Sequence, residues 1–174
     1  MELTGNTAFA QPNAQEAVLS EWYDTYGTDV LRLCCFYLGS RADAEDAVQE
    51  TYLKAWRHMD RFQGRKPYSV KAWLLKIACN ACRDQFRRAW RKREVAQDNW
   101  AGFEQIPRED RDLMLDVMQL PGTYRAVILL VYLQRLTLRE TADILRVSPA
   151  TVSRWLCKAK EMLKRAEIDG KEGR

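Results

Sequence analysis

Cys79 and Cys82 stand at the C-x-x-C spacing with which thiolates grip zinc or form a redox-active disulfide. Nothing else in the chain completes either chemistry. The pair falls inside a helical pattern, and no second Cys or His pair lies at useful spacing. Cys34, Cys35 and Cys157 also fall on predicted helices. His58, the only histidine, reads as a surface residue near a helix end. One imidazole and no tight carboxylate pair on a Gly-rich loop equip the chain poorly for acid–base or metal catalysis. The expectation is a protein that is not an enzyme, with no metal and no cofactor. Five cysteines, an odd number, argue against a disulfide framework and for reduced thiols in the cytoplasm.

The chemistry that the chain does carry is charge, laid down in blocks. The formal net charge of +4 resolves into −7 over residues 1–53, +11 over 54–93, −5 over 94–119 and +5 over 120–174. Basic blocks attract polyphosphates by Coulomb attraction and counterion release. In the first block Phe62, Tyr68 and Trp73 interleave with Arg61, Arg65 and Lys66. Cations hold a phosphate backbone, and aromatic faces stack unpaired bases, so the mixture suits melted DNA better than intact duplex. Trp73 reads as core, whereas Phe62 and Tyr68, in a loop, are freer to touch a ligand. Lys76, Arg83, Arg87 and Arg88 continue the cationic run. Asn80 adds an amide suited either to a base edge or to helix packing. Solvated helix faces are the plainer reading of such charge runs. Two basic blocks, each with aromatics, favour nucleic acid. The acidic stretch Asp43–Glu50 cannot bind DNA; it is either a solvated face or a surface for a basic protein partner.

The elements that must position these residues are helical. With 47% hydrophobic and 30% charged residues, the composition is that of a globular chain. No run of 18 apolar residues exists, so no membrane insertion is expected. The N-terminus lacks the basic and apolar regions of a secretory signal. Residues 1–13 read as a loose tail. From Ala14 to Leu38, Val18, Trp22, Tyr26, Val30, Leu33 and Tyr37 recur at helical spacing. Gly27-Thr28-Asp29 offers a break within this stretch. Gly39 stops it and Ser40 caps a second helix to about Met59. Ser69 caps a third, to about Arg93. Residues 94–119 read as an acidic linker with some late helix from about Arg108.

A second unit starts at Leu120-Pro121-Gly122. An apolar helix spans Tyr124 to Leu133. Thr137 and Glu140 then form a capping box for a short helix, Leu138 to Leu145. After the turn Arg146-Val147-Ser148, Ser148-Pro149 starts a last helix to about Ala166. Residues 167–174 read as a tail. A short helix, a three-residue turn and a longer capped helix make a helix-turn-helix. Ala142 is small where the helices cross, Val147 sits in the turn, and Val152 and Leu156 pin the second helix. The outward face of that helix offers Thr151, Ser153, Arg154, Lys158 and Lys160. Arg reads guanine edges, while Ser, Thr and Lys hold phosphates. An ordinary helical hairpin with a basic face is the competing reading.

Taken together, Asp43-Ala44-Glu45-Asp46-Ala47-Val48-Gln49-Glu50-Thr51-Tyr52-Leu53-Lys54-Ala55-Trp56, the block Trp73–Asn80 with Asp84 and Arg87-Arg88, and Leu120 through Lys164 resemble bacterial RNA polymerase sigma factors of the extracytoplasmic-function group. The resemblance implies an all-α fold of two small domains, region 2 over 14–93 and region 4 over 120–166, joined by the acidic linker. It implies that Asp43, Glu45, Asp46, Gln49, Glu50, Leu53 and Trp56 bind core RNA polymerase at the β′ clamp helices, with the β flap as a further contact. It places Phe62, Tyr68, Lys76, Asn80, Arg83, Arg87 and Arg88 at the −10 element. Arg139, Ser148, Thr151, Ser153, Arg154, Lys158 and Lys160 fall at the −35 element. Promoter DNA and an anti-sigma factor are the other implied partners. Ala47, Thr141, Arg146 and the pair Arg154-Trp155 depart from the family's usual residues. The rivals are a helix-turn-helix regulator that acts without polymerase, and a nucleic-acid-processing enzyme, for which no carboxylate cluster is found.

Overall fold

The sequence periodicity resolves into helices throughout the described part of the chain. The computed structural model describes residues 14–62, 69–92 and 108–172, and among these residues no strand occurs. The first half holds α1 (Ala14–Leu38), α2 (Arg41–His58), a 3-10 turn (Met59–Arg61) and α3 (Val70–Lys92). Gly39 separates α1 from α2 at φ +71°, a left-handed conformation that only glycine adopts without a steric penalty. The Ser40 hydroxyl then accepts from the Asp43 amide at 3.3 Å and caps α2. The Ser69 hydroxyl accepts from the Ala72 amide at 3.1 Å and starts α3. The three helices pack on one another through Val30, Leu33, Cys34, Ala44, Ala47, Leu74 and Ala78, all fully buried.

The second half holds α4 (Arg108–Gln119), α5 (Gly122–Ile128), a π turn (Leu129–Leu133), α6 (Leu138–Leu145) and α7 (Pro149–Glu172). The Thr137–Glu140 capping box is present with both of its bonds. Ser148 caps α7 by accepting from the Thr151 amide at 3.1 Å. Val127, Ala142 and Val152 lie at the helix-turn-helix crossing, with Val147 and Leu156 against them, as the spacing predicts.

Three expectations are corrected. Helix α1 runs without a break through Gly27. An interior glycine costs about 1 kcal/mol against alanine, and tertiary contacts outweigh that. Asp29 pairs with Lys71 of α3 at 2.7 Å, and its carbonyl accepts from Gln134 at 2.9 Å. The apolar helix expected over Tyr124–Leu133 changes to π geometry after Ile128, where the Gln134 amide bonds the Leu129 carbonyl at 3.0 Å. Helix α7 continues to Glu172, through residues expected as a tail. The late helix expected in the acidic segment is α4. Residues 1–13 and the linker's 94–107 lie outside the described residues.

The two halves share one hydrophobic core. Val117, Leu120, Ala126, Leu129 and Leu130 of the second half join the buried cluster of α1, α2 and α3. Helix α3 touches α5 and α6, and α1 touches α4, α5 and the π turn.

Candidate nucleic-acid interface

Helix α7 begins at the tip of the helix-turn-helix with a chain of polar side chains. The Ser148 and Thr151 hydroxyls lie 2.9 Å apart, and Arg154 donates from Nη2 to the Thr151 hydroxyl at 3.3 Å. Ser148, Ser153, Arg154, Lys158 and Lys160 are exposed and Thr151 is half-buried, whereas neighbouring Trp155 turns into the core beside Leu156. The inward indole sends Arg154 outward, so the guanidinium stands free of the protein interior but tethered at one end. Lys158 pairs weakly with Glu161 at 3.5 Å. Lys160 lies 5.3 Å from the centroid of the Tyr132 ring, a cation–π contact that composition did not reveal. Arg139 is exposed on α6, one residue after Leu138. Arg146 closes the turn at φ 57°, ψ 46°, a left-handed conformation that favours glycine.

On α3, Lys76, Asn80, Arg83 and Arg87 recur at spacings of four, three and four and so share one helix face. Asn80 accepts from the Arg83 guanidinium at 2.5 Å, so its amide oxygen is already engaged. Arg88 bonds the Asp84 carbonyl at 3.3 Å and approaches Glu50 of α2 at 3.9 Å. Phe62 departs from the expectation of a ring free for ligand. It is half-buried, with its centroid 5.5 Å from Trp22 and 4.9 Å from Trp73. The reason is sequence-remote: Trp22 of α1 supplies an apolar wall that the loop composition does not betray. Trp73 joins the same aromatic cluster, edge-on to Trp22 at 5.8 Å. Tyr68 lies outside the described residues, as do Arg65 and Lys66.

On α2, Ala44, Ala47, Val48, Thr51, Tyr52 and Ala55 face the core. The opposite face presents Asp43, Glu45, Asp46 and Gln49, all exposed, together with Leu53, a large apolar side chain left 56% exposed. Trp56 and Glu50 are half-buried. Glu45 pairs with Arg41 at 2.7 Å and Glu50 with Lys54 at 2.6 Å. Asp46 makes no ion pair among the described residues.

The cysteines belong to no metal-binding group among the described residues. Cys34, Cys35, Cys79 and Cys82 are free and buried, and Cys157 is free and exposed on α7. Burial pushes the Cys79 thiol up to about 12, and a hydrogen bond to Cys34 together with burial raises Cys82. Such thiols stay protonated and are poor nucleophiles or ligands. No His, Cys, Asp and Glu group among the described residues is arranged to hold a metal ion. No described helix is long and apolar enough to cross a membrane.

Arg125 was missed at the level of sequence. The signal was there: a single cation inside the apolar run Tyr124–Leu133.

Residues 22–92 match the family model for sigma-70 region 2, and residues 111–163 match that for sigma-70 region 4. The chain is 32% identical over 156 residues to the ECF RNA polymerase sigma factor SigM of Bacillus subtilis, covering 84% of this chain and 93% of that one. It is 31% identical over 147 residues to SigL, an ECF sigma factor of Mycobacterium tuberculosis, covering 80% and 82%. Among solved structures, RpoE from Bartonella quintana, in complex with the anti-sigma factor NepR, superposes with a TM-score of 0.69 at 20% identity, covering 85% of this chain and 95% of that one. CnrH, in complex with the cytosolic domain of CnrY, superposes at 0.66 and 24% identity, covering 88% and 89%.

Proposed function

This chain belongs to the extracytoplasmic-function group of RNA polymerase sigma factors, and from that premise we propose which of its surfaces carry the work. It is an initiation factor and not an enzyme: it binds core RNA polymerase and directs transcription to promoters with −10 and −35 elements. The exposed face of α2, with Asp43, Glu45, Asp46, Gln49, Glu50, Leu53 and Trp56, docks on the β′ clamp helices. Carboxylates steer association with a basic partner, and Leu53 supplies apolar contact. The α3 face with Lys76, Asn80, Arg83 and Arg87, together with Arg88, Phe62 and Tyr68, holds the −10 strand. Residues 120–166, the region 4 unit, present Arg139, Ser148, Thr151, Ser153, Arg154, Lys158 and Lys160 to the −35 duplex and contact the β flap. The linker 94–119 sets the span between the two units. The protein works in the cytoplasm with the polymerase. An anti-sigma factor of the kind seen with its structural neighbours is its regulator.

The observation that carries the reading is the pairing, in one chain, of an exposed acidic helix face with a helix-turn-helix whose second helix opens on Ser148, Thr151 and Arg154. Asp46→Lys tests the polymerase surface. Asp46 is the clean probe, because reversing Glu50 would also break its contacts with Lys54 and Arg88. Core affinity is expected to fall about three- to ten-fold, most at low salt, as for a charge at an interface rim. Binding to a −35 duplex stays as in the wild type. Unaltered core affinity would remove α2 from the interface.

A further inference from the structure

The arginines of the second half are put to different uses. Arg125 is buried and spent inside the fold, where its guanidinium donates to the Tyr37, Met118 and Leu120 carbonyls. Arg154 is tethered to the Thr151 hydroxyl. Arg135 and Arg146 are exposed, and neither guanidinium has a hydrogen bond or ion pair among the described residues. They are also the two described residues other than glycine at positive φ, 56° and 57°. Each closes a helix. The Leu136 amide bonds the Leu130 carbonyl at 3.1 Å across Arg135, and the Val147 amide bonds the Ala142 carbonyl at 3.0 Å across Arg146. Left-handed caps of this kind are commonly glycine, because a Cβ strains them. Here two arginines bear the strain, and no described residue engages their charged ends to offset it. The two positions bracket α6, whose own Arg139 is exposed and unpaired among the described residues. The acids of α6 do not cancel these charges. Glu140 is bound back on the Thr137 amide and hydroxyl, and Asp143 makes no ion pair among the described residues.

We propose that Arg135 and Arg146 form a two-point phosphate clamp on duplex DNA, one arginine on each wall of the major groove that receives α7. The proposal rests on the sigma-factor reading of the helix-turn-helix. In that motif the second helix enters the groove and the first crosses the backbone above it. Helix α6 has eight residues and is therefore about 12 Å long, while the major groove is about 12 Å wide. Its two ends thus stand over opposite walls, with α7 packed beneath at Ala142 and Val152. A guanidinium presents paired donors that fit phosphate oxygens. Such contacts carry no base information, but they fix the register of the protein on the duplex. The clamp sets the seating of α7, so that Arg154 meets a base edge. Strained backbone is typical of ligand clamps. The free chain carries the strain, and the phosphates supply the partners that the fold does not. The rival is that each arginine only answers the negative end of the helix it closes. That rival predicts lower stability when the side chain is removed and no change in DNA binding.

Binding of the full chain to a pool of short random-sequence DNA duplexes across a salt series tests this, in wild type, Arg135→Gly, Arg146→Gly and the double variant. Each glycine variant is expected to lower the slope of log affinity against log salt by about 0.9, the share of one phosphate contact. Between about 50 and 200 mM salt, the loss of affinity should then be about 3.5-fold smaller for each single variant and about twelve-fold smaller for the double. Arg135→Lys and Arg146→Lys keep the charge and should keep the slope. Arg32→Gln, which removes an exposed arginine of α1 far along the chain from the motif, should also keep it, so that a contact is told apart from net charge. Urea midpoints of the glycine variants should hold or rise, which separates lost contact from lost fold. Slopes unchanged in both glycine variants, an equal drop in Arg32→Gln, or a wild type that binds no duplex at the lowest salt overturns the clamp. Titration of the wild type with bacterial core RNA polymerase completes the test. Failure to bind core overturns the sigma-factor reading instead, while the salt slopes, recorded without polymerase, still decide the clamp.

Discussion

Arg154 carries the sharpest chemistry in the molecule, because its fork matches the O6 and N7 acceptors of guanine together. Its tether to Thr151 at 3.3 Å limits the rotamers it must give up on binding. Arg154→Ala is expected to cost about 1–3 kcal/mol at one −35 base and to relax discrimination there. Lys158→Ala should instead weaken binding to all sequences and reduce the salt slope by about one. Binding to every single-base variant of a −35 duplex separates the two; a uniform drop for Arg154→Ala would assign it to phosphate. Arg146 makes the opposite case, a residue whose identity costs stability. Left-handed backbone costs a side-chain-bearing residue about 1–2 kcal/mol, and glycine's extra freedom when unfolded returns about half of that. Arg146→Gly should therefore raise the urea midpoint by the equivalent of about 0.5–1 kcal/mol. An unchanged midpoint would mean that the Arg146 side chain repays its strain. Both residues were legible in the sequence, one as an outward arginine and one as a departure from the family's usual residue. Phe62 was not, because its partners Trp22 and Trp73 come from helices that only the fold brings together.

The starts of α2, α3, α6 and α7 were readable for a simple reason: a cap is a local device. Ser40, Ser69, Thr137 and Ser148 each bond an amide three residues on, so the signal lies within four letters of sequence. Continuity of α1 through Gly27 and the π turn at Leu129–Leu133 were not readable, because each serves a distant contact. The same two residues, Asp29 and Gln134, join them. The capping box on α6 also makes the helix-turn-helix sensitive to acid. Bonds from the Thr137 amide and hydroxyl hold the Glu140 carboxyl below its ordinary value. A depressed carboxylate stabilises the fold at pH values above its unfolded pKa and loses that contribution as pH falls through its folded pKa. Glu140→Gln should thus be less stable than wild type at pH 7, and the gap should close below about pH 4. Thr137→Ala, which removes the cap itself, should cost about 1 kcal/mol and keep most of that deficit in acid. Denaturant midpoints of both variants at pH 7 and pH 3 check this; a gap for Glu140→Gln that persists unchanged at pH 3 would place its effect elsewhere than in the carboxylate.

At the scale of the whole chain, the alternating charge blocks describe surfaces and say nothing about how the halves meet. Net charges of −7, +11, −5 and +5 read naturally as two units on a string. The buried residues contradict a string: a single cluster runs from Val30 and Leu33 through Leu74 and Leu75 to Leu129 and Leu130. Periodicity identifies which residues are inward but not which inward faces find each other, so the shared core was invisible until the helices were in place. A shared core makes folding cooperative across the seam, whereas independent domains would melt one at a time. Leu130 is the probe of choice. It is fully buried, lies in the π turn that touches α1, and takes no part in any polymerase or DNA surface. Leu130→Ala should cost about 2–5 kcal/mol, the usual range for a leucine truncated in a core. In a cooperative molecule that loss is felt by the amides of α1, α2 and α3 as well as by those of α5, α6 and α7. Hydrogen exchange of the free chain, read residue by residue, should then show protection falling in both halves of Leu130→Ala. Protection lost only between Gly122 and Arg165, with α1 to α3 unchanged, would mean that the halves fold separately and merely touch.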